Sequence, residues 1–321
     1  MTSPSPSGPA QESTSAAVKM WRKLVRQWHW ARRDGFARWI EEDQLNPADR
    51  VRTALSKRRW RSRHGVSPGE AVPVYLVGVQ RSGTNMLVRG LEAAPEFEVH
   101  NENDRSAFDS YRLKPDEIVA GLILRSRHRY VLFKPLCDSH RIDALLDTLP
   151  VPQPGKAIWA YRDVDGRVRS SISKFGDVNH RVLSEIARGE GRDRWQAQRI
   201  SPDNLALIGD FDYATMSAET AAALFWYVRN SLYFDLALDQ RDDTFLSSYD
   251  SLIAEPEATM RSLCAFLDFP YYSALTKHIE LRPNSRKPPL AIDPRVRAKC
   301  DLLTERLNGK VAEQRARWTT P

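Results

Sequence analysis

Residues 72–91 constrain this chain more than any other stretch. Val72-Pro73-Val74-Tyr75-Leu76-Val77 is a run of strand formers ending at Gly78, and beyond Gly83 the apolar residues Met86, Leu87 and Leu91 recur at helical spacing. Between them lies Gly78-Val79-Gln80-Arg81-Ser82-Gly83-Thr84-Asn85, a glycine-bracketed loop that leads from a strand into a helix. Such a loop gathers backbone N–H groups and a helix N-terminus into one concavity, which is where a phosphate belongs. Arg81 adds a cation, and Ser82, Thr84 and Asn85 add side-chain donors. As a bare pattern Gly-x4-Gly is weak. A triphosphate loop also needs Lys directly after its second Gly, where this chain has Thr84. A kinase or ATPase would lose its β,γ-phosphate contact, so the expected ligand has fewer contiguous phosphates.

The rest of the pattern extends this strand-loop-helix into a domain. Phe97-Glu98-Val99 and the apolar runs at 130–133, 157–160 and 244–246 read as short strands, most of them buried and parallel, alternating with helical stretches. This predicts an α/β fold, a three-layer α/β/α domain with a central parallel sheet and a P-loop-like nucleotide site, over residues 71–321. Residues 176–218 are polar and irregularly patterned, and read as an insertion or lid. Residues 1–17, rich in Ser, Pro, Gly and Thr, read as a disordered tail. Residues 18–70 read as a basic helical arm, amphipathic over about 19–40, with a second helix after Asn46-Pro47 to about Arg63.

Charge is distributed unevenly. The chain carries 48 Lys+Arg and 41 Asp+Glu, a net charge of +7, and its first 70 residues hold 14 of the former and 7 of the latter. The whole excess lies in the arm and the remainder is neutral, so the basic balance does not argue for nucleic acid as a partner. The arm has two open readings: Trp21, Trp28 and Trp39 pack on the domain, or the arm serves peripheral membrane binding, self-association or the docking of an acidic carrier. Three cysteines, widely spaced and without a CxxC pair, read as reduced and structural, and nothing activates Cys137 as a nucleophile. No His, Cys or Asp cluster has metal-ligand spacing. No apolar run is long enough to span a bilayer, and the N-terminus has no signal-peptide core, which predicts a cytoplasmic enzyme.

Three stretches, in order, resemble the PAPS-dependent sulfotransferases, the bacterial and Golgi-type members more closely than the cytosolic ones. Gln80-Arg81-Ser82-Gly83-Thr84-Asn85 is similar to the family's 5′-phosphosulfate loop, xxRSGTT. Arg162 at a strand end, with Ser170 eight residues on, is similar to its 3′-phosphate motif. Ser248-Tyr249-Asp250-Ser251-Leu252-Ile253-Ala254-Glu255-Pro256 resembles its YEDL...P segment ahead of a helix. The resemblance covers roughly residues 72–300 and implies PAPS as cofactor, with adenosine 3′,5′-bisphosphate as product and no metal. It implies nucleotide contacts from Gln80, Arg81, Ser82, Gly83, Thr84, Asn85, Arg162 and Ser170. Tyr249 is either an adenine contact or a core tyrosine. Met86 stands where cytosolic members stack a Trp on adenine, and their glycine-rich C-terminal motif is absent, with Ser285 and Arg286 the candidates to replace it.

The same resemblance suggests Arg81 as the cation beside the bridging oxygen and Glu102, just after the second strand, as general base. His100 and His140 are rivals for the base. Lys134 points at sulfate or acceptor, or is a plain strand-end lysine. The acceptor is a small molecule, a carbohydrate or a lipid. Arg105, Arg112, Lys174, His180, Arg181, Trp195 and Trp226 lie in segments suited to border it, and 107–112 is either part of its wall or a helix packing face. A P-loop kinase and a non-catalytic nucleotide-binding protein are the alternatives.

Overall fold

The computed structural model describes residues 47–280 and 288–318. The tail, the arm up to residue 46, and both Ser285 and Arg286 lie outside the described residues. Helix α1 (Pro47–His64) is the second helix expected in the arm. The division of the chain into two compact units falls inside it, between Leu55 and Ser56. The described part of the first unit is the opening turns of that helix.

The second unit continues with β1 (Val72–Gly78), α2 (Thr84–Ala93), β2 (Phe97–His100), β3 (Phe108–Asp109), β4 (Arg112–Leu113), α3 (Asp116–Arg125) and β5 (Tyr130–Phe133). A 3-10 turn (Leu136–Arg141) leads into α4 (Ile142–Thr148), β6 (Lys156–Tyr161), α5 (Val164–Phe175), α6 (Val178–Ala187), α7 (Pro202–Gly209) and α8 (Ala218–Asp235). The chain then forms β7 (Thr244–Ser248), α9 (Tyr249–Ala254), α10 (Pro256–Leu267) and α11 (Pro294–Trp318).

Five strands form one sheet in the order β2-β5-β1-β6-β7, and every pairing in it is parallel. Both faces are covered, which is why the strands inside the edge strand β2 read as apolar runs. Tyr75, Val77, Phe133, Trp159 and Tyr161 point to one core, shared with Val119 of α3, Leu145 of α4, Val168 of α5 and Leu303 of α11. Val74, Leu76, Leu132 and Ile158 point to the other, with Leu87 of α2, Leu252 of α9 and Leu263 of α10. Each such side chain, taken fully out of water, contributes roughly 1.5–3 kcal/mol.

Two stretches differ from their sequence reading. Residues 176–218 carry α6 and α7, and place Val182, Leu183 and Ile208 in the first core at 3% exposure or less. Each helix has only one narrow apolar face, so the polar residues hide it from a pattern count. The 107–112 run is not a helix. It forms the β3–β4 hairpin, with Ser110 and Tyr111 at φ +49° and +69° in the turn.

The sheet order sets the site. From β1 the chain leaves through α2 to the second core, whereas from β6 it leaves through α5 to the first. Neighbouring strands whose connections part in this way open a crevice beyond their carboxyl ends. Gly78 and Ala160 are paired at its floor. A Cβ on Gly78, whose φ is +122°, would lie 2.2 Å from the Ala160 carbonyl oxygen, so only glycine lets the strand ends close here.

Candidate functional site

The loop after β1 is tied from below. Ser139, in the 3-10 turn, accepts from Gly78 N at 3.0 Å and donates toward Leu136 O at 2.9 Å. Arg167, on α5, donates through Nε to Gln80 O at 3.4 Å and through Nη1 to Ala222 O at 3.1 Å. With these anchors the loop holds Arg81 at φ +72° and Gly83 at φ +83°. A non-glycine residue in that left-handed region stores of order 1 kcal/mol of strain, which the surroundings must hold in place. Gly83 begins α2, and a Cβ there would come within 2.5 Å of Tyr249 Cδ2. Ser82 is 1% exposed and its Oγ has no hydrogen-bond partner. A buried hydroxyl left unpaired costs about 1–3 kcal/mol, and a ligand oxygen at the loop would remove that cost.

A second donor group stands at the end of β6. Arg162 follows the last residue of the strand, with its carbonyl held by Trp226 Nε1 at 2.9 Å. Its guanidinium lies 4.2 Å from the centroid of the Tyr249 ring, and its Nε is buried without a partner. Asp163 caps α5 by accepting from Asp165 N and Gly166 N, while its own N–H donates to Asp250 Oδ2 at 2.8 Å. Burial pushes the Asp250 carboxyl above its usual range, against the pull of the hydrogen bond from Asp163. The two donor groups are joined, since Arg81 Nε donates to Ser170 Oγ at 3.0 Å. Arg167 is 1% exposed beside them and is pushed down to about 9 by burial and by the charge of Arg81.

The ends of β2 and β5 carry acids and bases in contact. Lys134 is buried; its Nζ donates to Asn85 Oδ1 at 2.6 Å and lies 3.1 Å from Glu102 Oε1. The loop, the lysine and Glu102 thereby form one chain of contacts, with the Glu102 side chain 22% exposed. His100 is enclosed between two carboxylates. Its Nδ1 is 2.7 Å from Asp104 Oδ2, its Nε2 is 3.5 Å from Glu98 Oε1, and its ring stacks on Phe133 at 5.0 Å. Burial opposes charge on His100, but the two carboxylates outweigh it and raise its pKa. Burial likewise opposes charge on Glu98, and the hydrogen bond from Ser126 together with the nearby His100 ring overcomes it and holds Glu98 at about 2.

Of the residues singled out in the sequence, the loop 80–85, Arg162, Ser170 and Tyr249 gather at the crevice, and Glu102, Lys134 and His100 stand beside it. His140 lies in the 3-10 turn whose Ser139 holds Gly78, and is pushed down to about 3 by burial and by neighbouring guanidiniums. Trp226 is fully buried and serves Arg162 from below instead of bordering an acceptor. Cys137 is buried, and burial with the charges of Glu102 and Asp138 pushes its thiol up to about 12.

Sequence reasoning missed Arg167, Ser139, Asp250 and the Glu98–His100–Asp104 clamp. Arg167 had a legible signal, since Val164, Arg167, Val168 and Ser171 make up one buried face of α5. A cation on an apolar face is either bonded inward or misplaced.

No family model matches the sequence, and no curated protein does. Three solved structures are similar in part. The sulfotransferase domain of the curacin biosynthetic pathway is 12% identical, covering 73% of this chain and 98% of its own, with a TM-score of 0.45. The sulfotransferase domain of the Synechococcus PCC 7002 olefin synthase is 16% identical, covering 73% and 95%, with a TM-score of 0.38. A sulfotransferase from Alicyclobacillus acidocaldarius is 16% identical, covering 77% and 96%, with a TM-score of 0.39. Similarity this low transfers neither a residue nor an activity, and the chemistry of the site is read from its own geometry.

Proposed function

We propose that the chain is a sulfotransferase that uses PAPS and a hydroxyl- or amine-bearing acceptor. The observation that carries this reading is the pair of buried donors left without partners, Ser82 Oγ after β1 and Arg162 Nε after β6. Both stand at the rim of one crevice, bridged by Arg81 and Ser170. Two separate anionic groups on one ligand fit that arrangement better than a continuous triphosphate does, and Thr84 where a triphosphate loop has Lys agrees. Tyr249, packed against both Gly83 and Arg162, ties the two donor groups together.

PAPS when bound supplies a sulfuryl group on a phosphate leaving group. The loop N–H groups, Ser82 and Arg81 hold the 5′ side and stabilise charge as it builds on the bridging oxygen. Arg162 and Ser170 hold the 3′-phosphate, Arg162 by a bidentate grip available to guanidinium. Glu102, kept at the loop by Lys134 and Asn85, takes the proton from the acceptor hydroxyl as its oxygen bonds to sulfur and the bond from sulfur to the bridging oxygen breaks. His100, with both ring nitrogens facing carboxylates, holds the turn that carries Glu102.

Calorimetric titration with adenosine 3′,5′-bisphosphate, against 5′-AMP and ATP with Mg²⁺, tests the reading. Binding that depends on the 3′-phosphate is the expected result. Preference for ATP, or no binding of the bisphosphate, overturns it.

A further inference from the structure

Among the buried polar atoms of the described residues that have no partner, two outside the nucleotide loop belong to one cluster. Arg229, on α8 and 3% exposed, donates through Nη1 to Gln198 O at 3.1 Å, and its guanidinium lies 5.3 Å from the Trp195 ring centroid. Its Nη2 is buried and bonded to nothing. His140, 4% exposed in the 3-10 turn, has its Nδ1 in the same condition. The charges of Arg229, Arg112, Arg141 and Arg199 all bear on His140.

Three of those four guanidiniums are balanced by an acid. Arg112 has Asp138 at 2.7 Å, Arg199 has Asp143 at 3.0 Å, and Arg141 has Asp116. Arg229 is bonded to carbonyls alone, and burial, with the charge of Arg112 beside it, pushes it down to about 9. A buried cation is stable when an anion accompanies it, and this one has none within the chain's described residues. The cluster adjoins the crevice, because Cys137 Sγ accepts from Gln80 Nε2 at 3.9 Å and Ser139 of the same turn holds Gly78. Trp195, Gln196 and Gln198, all half-buried, cover it on the α8 side.

We propose that Arg229 and His140 form an anion subsite that takes the acidic substituent of the acceptor, a carboxylate, sulfate or phosphate. Arg229 supplies the charge and the free Nη2–H donor, and neutral His140 supplies a donor at Nδ1 in the matching tautomer. The inference rests on the sulfotransferase reading only for the word acceptor; the subsite itself stands on the cluster.

The test is calorimetric titration of inorganic sulfate into protein saturated with adenosine 3′,5′-bisphosphate, which keeps sulfate out of the nucleotide crevice. Wild type is expected to bind sulfate, and Arg229→Met to bind it about tenfold or more weakly, with bisphosphate affinity unchanged. Arg229→Met is also expected to keep or raise Tm, since an uncompensated buried charge is removed. His140→Phe leaves the Arg229 contacts intact and is expected to weaken sulfate several-fold, which covers the case in which Arg229→Met does not fold. Sulfate affinity unchanged in these variants, or absent in wild type, overturns the subsite.

A second arm separates the sources of the anion. 4-Hydroxybenzoate against phenol, and glucuronate against glucose, are titrated into the sulfate complex. Displacement of sulfate by an acid and not by its neutral mate supports an acceptor subsite, whereas sulfate that resists both acids overturns that assignment. If the bisphosphate does not bind wild type at all, the nucleotide reading fails by itself, and the comparison of Arg229→Met with wild type still decides the subsite.

Discussion

The carboxyl ends of β1 and β6 and those of β2 and β5 belong to one sheet, yet they settle their charges in opposite ways. At β1 and β6 Arg162 Nε has no hydrogen-bond partner and Arg167 is bonded to carbonyls alone. At β2 and β5 the charges are already matched, His100 between Glu98 and Asp104 and Lys134 against Glu102. The first half is built for an anion that comes from outside the chain. The second is internally balanced, as a site that handles a proton and must hold its geometry before and after needs to be.

The contrast breaks most readily at Glu102. Glu102→Gln keeps the shape beside Lys134 and removes the proton acceptor; turnover with PAPS is expected to fall roughly 10²–10⁴-fold while bisphosphate affinity stays near wild type. If affinity falls instead, the balanced half is part of the anion site and the two halves are one.

Arg162→Met is the converse experiment. Losing a charge-assisted contact of about 1.5–3 kcal/mol predicts roughly 10–150-fold weaker bisphosphate binding, with 5′-AMP little affected. An equal loss for both ligands would assign Arg162 to the 5′ side.

Gly83→Ala sharpens the local geometry. The new Cβ would meet Tyr249 Cδ2 at 2.5 Å in a left-handed backbone, so a stability loss of about 1–3 kcal/mol is expected in a denaturant titration, together with weaker bisphosphate binding. Tyr249→Ala should relieve part of both losses.

The smallest effect lies in the balanced half and depends on pH. Folding raises the pKa of His100 above 6.5, so its contribution is complete below that value and is lost as pH rises through the folded pKa. Folding lowers Glu98 from 4.5 to about 2, so its contribution is present above 4.5 and is lost as pH falls toward 2. The Tm advantage of wild type over His100→Asn is expected to be widest between these limits and to narrow on both sides. A pH-independent difference would reduce His100 to a packing residue.

The anion half was far more legible in the sequence than the balanced half. Gly78 and Gly83 bracket a strand-to-helix loop that local pattern alone marks, whereas Arg162 and Ser170 were picked out by the family resemblance and their spacing in it. Four of the five strands were legible because burial on both faces writes a continuous apolar run, and the edge strand β2 showed only as Phe97 and Val99 flanking Glu98. The His100 clamp was not legible, since Glu98, His100 and Asp104 read as an ordinary polar strand end until the turn after β2 folds back. Arg229 was hidden within a helix that is buried nearly all round, where only the packing of α8 shows which polar residues face inward. Residues 176–218 misled through composition, their few core residues being outnumbered.

The order of the sheet also has a kinetic meaning. β1 sits at its centre and pairs with β5 and β6, which follow some 58 and 82 residues later by the register Val72↔Tyr130 and Val74↔Lys156. Such non-local pairing slows folding, because the chain must close long loops before contacts reward it. Arg167 reaches the Gln80 carbonyl, and Ser170 reaches Arg81, only when β6 and the helix after it have docked, so the crevice is complete only in the finished sheet. A ligand that grips both strand ends therefore binds the finished sheet alone, and its presence stabilises the completed fold against every shorter-range intermediate by mass action.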